Sequence, residues 1–256
     1  MPVVTEYATG TPCWVDVTTP DLGRTISFYT DLFGWETEGP QEEAGNYTMF
    51  TKHGKSVAAA SPPMPGSEGI PPHWTTYIAS DDVDETTARI KVAGGTVLMD
   101  PFDVFDSGRM AIAQDPGGAT FGVWQAREHV GAQIVNEPGS LSWNENQTRD
   151  PETAARFYSD VFGYEVEAAD MGEGAPYRVL KIDGRGVAGM FELTPDMAQV
   201  PPNWATTFAV EDTDAAAKRV EELGGTVLVQ PFDIPTVGRY AVVKDPVGVV
   251  FGIMAG

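Results

Sequence analysis

Residues 73–84, HWTTYIASDDVD, return as NWATTFAVEDTD at 203–214, an offset of 130 residues. Within one residue, the same displacement carries Trp14, Asp21, Phe28-Tyr29 and Phe33-Gly34-Trp35 onto Trp143, Asp150, Phe157-Tyr158 and Phe162-Gly163-Tyr164. It also carries GGTVLMDPFD (94–103) onto GGTVLVQPFD (224–233), and GRMAIAQDPGG (108–118) onto GRYAVVKDPVG (238–248). Self-similarity along a whole chain is the mark of a duplicated scaffold. Two homologous domains are expected, 1–127 and 139–256, joined by a linker at 128–138. In a chain of 256 residues each half is long enough to bury its own core.

A finer repeat lies inside each half. Four segments open with Asp and close with Gly at nearly equal spacing: Asp21 to Gly34, Asp82 to Gly94, Asp150 to Gly163, and Asp212 to Gly224. Asp is a favoured helix N-cap and Gly a favoured residue just past the helix end, so four helices of about three turns are expected. Leu22, Ile26, Tyr29 and Phe33 in the first, and Ala154, Phe157, Tyr158 and Val161 in the third, fall at helical spacing. Pro151 suits a first helical position. Short strand-like runs surround the helices: WVDVTT, YTMFTK, SVAAA, TTYIAS, TVLM, RMAIAQ and TFGVWQ in the first half. Each unit reads βαβββ, two units to a domain. The Pro-rich stretches SPPMPGSEGIPP (61–72) and ELTPDMAQVPP (192–202) join units as loops. The class is α+β, with helices on one face of the sheet and the other face free.

Composition narrows the functions available. A surface with 37 acids and 16 bases, net charge −21, repels phosphates, so neither nucleic acid nor an anionic membrane is an expected partner. No apolar run approaches the roughly 18 residues that span a bilayer. The start, MPVVTEYATG, lacks the basic and apolar regions of a secretory signal. Cys13 alone can form neither an internal disulfide nor a thiolate cluster, which fits a cytoplasmic protein.

The D-x₆-FY-x₃-FG helices, the DDVD and EDTD helix starts, the GGTV runs and the DPxG turns (Asp115-Pro116-Gly118 and Asp245-Pro246-Gly248) appear in one order over nearly the whole chain. Together they resemble the glyoxalase / bleomycin-resistance / extradiol dioxygenase superfamily, also called the vicinal oxygen chelate fold. The nearest resemblance is to its two-domain glyoxalase-like members in actinobacteria, often labelled hydroxylases. The resemblance implies tandem domains, each built of two βαβββ modules that form a curled mixed sheet around a cleft. It further implies metal ligands on inward positions: seven residues before each helix-capping Asp, seven after the Asp of the DP turn, and one in the fourth strand of the first module.

In this chain those positions read Trp14, Thr75, Gly122 and the stretch Ala59–Pro62 in the first domain. In the second they read Trp143, Ala205 and Gly252, with Glu192 the single possible oxygen donor. Gly, Ala and Trp side chains cannot coordinate a divalent cation, and one Glu falls short of the three ligands needed. His53 lies in a turn, His73 is two residues out of phase, and His129 is in the linker. No metal and no cofactor is expected.

Strand alternation puts Trp14, Asp16 and Thr18 on one face, and Trp143, Glu145 and Gln147 on the equivalent one. Met110 and Ile112 share the first cleft by the same parity, and Tyr240 and Val242 the second. Thr75, Tyr77 and Trp124 complete the first pocket; Thr207 and Met254 complete the second. A mostly aromatic cavity holding one carboxylate is the usual makeup of a small-molecule site. The two indoles can stack on a ligand or simply plug the cleft. Asp16 and Glu145 can act as general acid and base, or form structural ion pairs with Arg109 and Arg239. Cys13 alternates away from the cleft.

Three functions follow. The first is a binding protein of the bleomycin-resistance type, holding an aromatic or cationic small molecule in a metal-free cleft. The second is a metal-independent isomerase, lyase or hydroxylase-like enzyme using Asp16 or Glu145. The third is a metal-dependent glyoxalase or dioxygenase built around Glu192. Four modules in one chain can supply both clefts, so a monomer, or a homodimer that the pocket does not need, is expected.

Overall fold

In a computed structural model, the described residues are 3–64, 66, 69–169 and 177–256, so part of the loop at 61–72 (residues 65, 67 and 68) lies outside them. The first domain runs β1 (Pro12–Thr18), α1 (Leu22–Phe33), β2 (Glu36–Gln41), β3 (Tyr47–Lys52), β4 (Lys55–Ser61), β5 (His73–Ala79), α2 (Val83–Val92), β6 (Thr96–Val104), β7 (Gly108–Gln114) and β8 (Thr120–Ala126). The second repeats it: β9 (Ser140–Thr148), α3 (Pro151–Phe162), β10 (Glu165–Ala169), β11 (Tyr177–Ile182), β12 (Arg185–Glu192), β13 (Asn203–Ala209), α4 (Thr213–Glu222), β14 (Thr226–Ile234), β15 (Gly238–Lys244) and β16 (Val250–Ala255). Each helix starts where its Asp stands. The carboxylates of Asp21, Asp82, Asp150 and Asp212 accept from the backbone N–H groups of Arg24, Glu85, Thr153 and Ala215. Gly34 and Gly163 end α1 and α3 in the left-handed region, which costs a glycine nothing.

Each domain is one open eight-stranded mixed sheet, ordered β2-β3-β4-β1-β5-β8-β7-β6 and β10-β11-β12-β9-β13-β16-β15-β14. The two modules of a domain meet at the antiparallel pair β1–β5 or β9–β13. Parallel pairs flank that seam: β1–β4 and β5–β8 in the first domain, β9–β12 and β13–β16 in the second. The outer strand β2 carries ETEGPQ, exposed throughout, so it has no apolar alternation by which sequence alone could place it.

The helix-bearing faces of the two domains pack against each other. Val15, Val17, Phe28, Tyr29 and Phe50 of the first module share a core with Phe208, Val220, Val243 and Phe251 of the second domain. Ile78, Ile90, Phe121 and Val123 likewise join Phe157, Tyr158, Leu180 and Trp204. The FY and DPxG motifs prove to be two ends of one device. Tyr158, on α3, donates to Asp115 in the DP turn of the other domain at 2.9 Å, and receives a bond from Trp204 Nε1 at 2.7 Å. Tyr29 lies against Asp245 in the mirrored arrangement and takes a bond from Trp74 Nε1 at 3.0 Å. Such buried polar links fix the register in which two apolar faces meet. Among the described residues no helix is long and apolar enough to cross a membrane.

Candidate functional site

Packing the helix faces together leaves the opposite face of each sheet to form the clefts. In the first, Asp16 stands in register with Ala59 on one side and Thr75 on the other. Asp16 Oδ2 accepts from the hydroxyls of Tyr47 (3.0 Å) and Tyr77 (2.9 Å), and Thr75 adds a third hydroxyl. Trp14 Nε1 donates to Tyr47 at 3.0 Å. Burial pushes the Asp16 carboxyl up to about 6 despite these donors, because it loses hydration that neutral hydroxyls replace only in part.

The second cleft has the same plan with different parts. Glu145 stands between Gly189 and Ala205. Gln147 Nε2 donates to Glu145 Oε1 at 3.0 Å, Tyr177 supplies a hydroxyl to the same carboxylate, and Trp143 Nε1 donates to Tyr177 at 2.8 Å. Asn203 steadies Gln147 from β13 at 3.1 Å. Burial raises the Glu145 carboxyl as well, opposed by Gln147 and Tyr177. Tyr240, which bonds to Thr207, and Met254 pair across β15 and β16 to complete the wall.

Of the positions where the resemblance places metal ligands, Trp14 and Trp143 hold indole rings, and Gly122 and Gly252 leave the space that neighbouring rings occupy. A Cβ at Gly122 would overlap the Tyr77 ring, and one at Gly252 would meet Tyr240 and Thr207. A Cβ at Gly189 would strike the Tyr177 hydroxyl. Glu192 is in register with Thr148, at the parity of the helix side, which removes the lone oxygen donor from the second cleft. Among the described residues no three His, Cys, Asp or Glu side chains converge. A single carboxylate surrounded by phenol hydroxyls that burial holds protonated does not fit a divalent ion.

The expected site residues do gather. Trp14, Tyr77 and Trp124 form one buried cluster with Met110 and Ile112 beside it, and Trp143, Glu145, Tyr240 and Met254 share the second cleft. Two expectations need correction. Arg109 does not reach Asp16: it grips Asp84 with two bonds of 2.8 and 2.9 Å and Asp103 at 3.2 Å. Arg239 repeats this outside the second cleft with Asp214 and Asp233. Among the described residues neither carboxylate pairs with an arginine, and the one basic group acting on Asp16 is His73. The arginines hold β7 and β15 to the starts of α2 and α4 instead.

The clefts differ in access. Trp14, Asp16, Thr75, Tyr77 and Trp124 are all buried, at 3–7% exposure. Trp143, Glu145, Ala205 and Met254, the counterparts of Trp14, Asp16, Thr75 and Trp124, are half-buried, while Thr207 at the place of Tyr77 stays buried and Tyr240, like Met110 in the first domain, is half-buried. The linker accounts for this. Ala132 and Gln133 pair with Cys13 and Ser56, Tyr7 donates to Ala132, and Trp124 Nε1 donates to the His129 carbonyl. The His129 ring meets Trp14 edge-on at 4.4 Å, and burial lowers its pKa to about 4, keeping it neutral. Cys13, in a bulge at the start of β1, is buried with its thiol toward the Tyr77 carbonyl.

Sequence reasoning missed Tyr47, Tyr177 and His129. The tyrosines were detectable, being the same residue type 130 positions apart at the heads of matching strands. His129 had no such signal, because the linker has no counterpart in the repeat.

The sequence model described as Glyoxalase/Bleomycin resistance protein/Dioxygenase superfamily matches residues 12–123 and 140–253. A Mycobacterium bovis protein named "Putative glyoxylase CFP32" is 45% identical over 257 residues, covering 99% of this chain and 98% of that one. The "Anthracycline biosynthesis protein DauV" of a Streptomyces species is 41% identical over 265 residues, covering 98% and 95%. Among solved structures, the Mn(II)-bound glyoxalase from Novosphingobium aromaticivorans superposes with a TM-score of 0.68 at 19% identity, covering 96% of this chain and 82% of that one. The 2,3-dioxygenase LapB from Pseudomonas gives 0.69 at 14% identity, covering 98% and 94%. At such identities these two likenesses speak for the fold alone.

Proposed function

The chain belongs to the glyoxalase/bleomycin-resistance/dioxygenase superfamily, and we propose that it binds a small aromatic molecule, without a metal, in the cleft of its second domain. One observation carries this reading. Trp143 and Glu145 are half-buried, with the half-buried rings of Tyr177 and Tyr240 beside them, whereas their first-domain equivalents Trp14 and Asp16 are buried beneath the linker. Half-buried rings beside a carboxylate provide a stacking surface and an orienting polar group, the makeup of an organic-ligand site. The name of the Streptomyces relative points the same way, since anthracyclines are fused-ring molecules. A complete sheet for each cleft within one chain makes a second copy unnecessary, and the single cysteine suits a cytoplasmic setting.

Calorimetric titration with fused-ring aromatics, beginning with 2-naphthylmethanol, tests the reading. Saturable binding that Trp143→Ala weakens is expected, with the purified protein carrying well under one metal ion per chain by elemental analysis. Stoichiometric Zn, Mn or Fe would instead favour a metal-dependent glyoxalase or dioxygenase.

A second reading rests on the raised Glu145 carboxyl beside the Tyr177 hydroxyl, an arrangement suited to moving a proton in a metal-independent isomerase, lyase or hydroxylase-like reaction. Asp16 is a weaker candidate for that role because it is sealed from solvent. Turnover that vanishes in Glu145→Gln while ligand binding survives would support this reading.

A further inference from the structure

The carboxylate of the second cleft has unusual company. Among the described residues, Glu145 receives bonds only from neutral donors, the Gln147 amide and the Tyr177 hydroxyl. The arginine nearest in sequence pattern, Arg239, is committed to Asp214 and Asp233 on the outside. Lys181, on β11, is committed to Glu167. The 170–176 stretch that precedes Tyr177 reads DMGEGAP and contains no base. A half-buried carboxylate met only by neutral donors either holds its proton more tightly, as burial makes Glu145 do, or gains from a cation brought beside it.

The carboxylate has the Tyr177 ring over Gly189 on one side and only the Ala205 methyl on the other. Its in-register neighbours are Gly189 and Ala205, whereas Asp16 in the first domain has Ala59 and the hydroxyl-bearing Thr75. Replacing Thr75 by Ala205 removes one donor and opens one side. Phe232 stands edge-on to Tyr240 at 5.8 Å and is 43% exposed, so the aromatic lining continues outward to the mouth. Ring faces and a carboxylate each attract an organic cation, and together they exclude an anion.

We infer that the second cleft selects an organic ammonium, seated on Glu145 and walled by Trp143, Tyr177 and Tyr240. This rests on the proposed binding role of the same cleft and narrows its ligand class. The strongly negative surface, −21 overall, draws cations toward the mouth and repels carboxylates and phosphates.

The test compares two probes of one shape, 2-naphthylmethylammonium and 2-naphthylmethanol, titrated calorimetrically into the full chain at pH 7.5 and constant ionic strength. The ammonium is expected to bind on the order of tenfold tighter. Glu145→Gln should abolish that preference, bringing the ammonium's affinity to that of the alcohol. Glu221→Gln, an equal loss of charge on the surface of α4, should leave the preference intact. Equal affinity of the two probes, or a preference that survives Glu145→Gln, would overturn the inference and spare the binding reading. Binding of neither probe would overturn both.

Discussion

Two clefts on one duplicated scaffold have gone opposite ways. In the first, three hydroxyls converge on Asp16, Trp14 is buried at 3% exposure, and the linker lays His129 across it. In the second, Glu145 has two neutral donors, Trp143 is half-exposed, and among the described residues no strap crosses the rings. The exchange is local. Tyr77 and Met110 in the first domain become Thr207 and Tyr240 in the second, so the ring over the glycine of the last strand comes from a different strand. Burial makes the same Trp–Tyr–carboxylate chain a structural plug in one half. In the other half, the partial exposure of Trp143 and Glu145 is what the proposed binding role rests on.

If that contrast is right, the two indoles differ most in stability. Trp14→Ala should cost about 3–5 kcal/mol, the usual price of emptying a buried aromatic site, and Trp143→Ala less than about half of that. Urea denaturation of both variants checks it; equal losses would break the comparison.

The carboxylates give the next largest effect. Asp16 titrates at about 6 in the fold against 3.8 as its ordinary value, so the folded state holds that proton more tightly. Its contribution to stability is fully present below about pH 3.8 and is lost as pH rises through 6, a swing of about 3 kcal/mol. Asp16→Asn should remove that swing from a stability–pH profile, and Glu145→Gln should remove a smaller one in the same direction.

Ligand binding sharpens the contrast further. The groups facing Glu145 are Gln147, Tyr177 and Tyr240, none of them charged at neutral pH. Affinity for an ammonium ligand should therefore rise with pH as Glu145 ionises and then level off, while affinity for the matching alcohol stays flat. The smallest expected change comes from Ala205→Thr, which supplies the hydroxyl that Thr75 offers in the first domain. It should weaken ammonium binding a few-fold in calorimetry without a measurable loss of stability.

Much of this was legible in the sequence. The offset of about 130 residues, the capping aspartates and the alternating strands located the modules, and parity placed Trp14 with Asp16 and Trp143 with Glu145. What sequence could not supply was partnership across distance. Nothing local says that Tyr158 binds Asp115 of the other domain, or that Arg109 turns to Asp84 and away from Asp16. Nor does spacing say where a unique linker will lie, so the sealing of one cleft by His129 emerges only from the assembled chain. The exposed strand β2 lacked the alternation on which strand reading depends.

The most direct measurement is a crystal structure of the full chain grown with 2-naphthylmethylammonium. Density for one probe, its nitrogen on Glu145 and its rings between Trp143 and Tyr240, is the expected result. A probe lodged beside Asp16 with the linker displaced, or an ion coordinated in either cleft, would contradict the account.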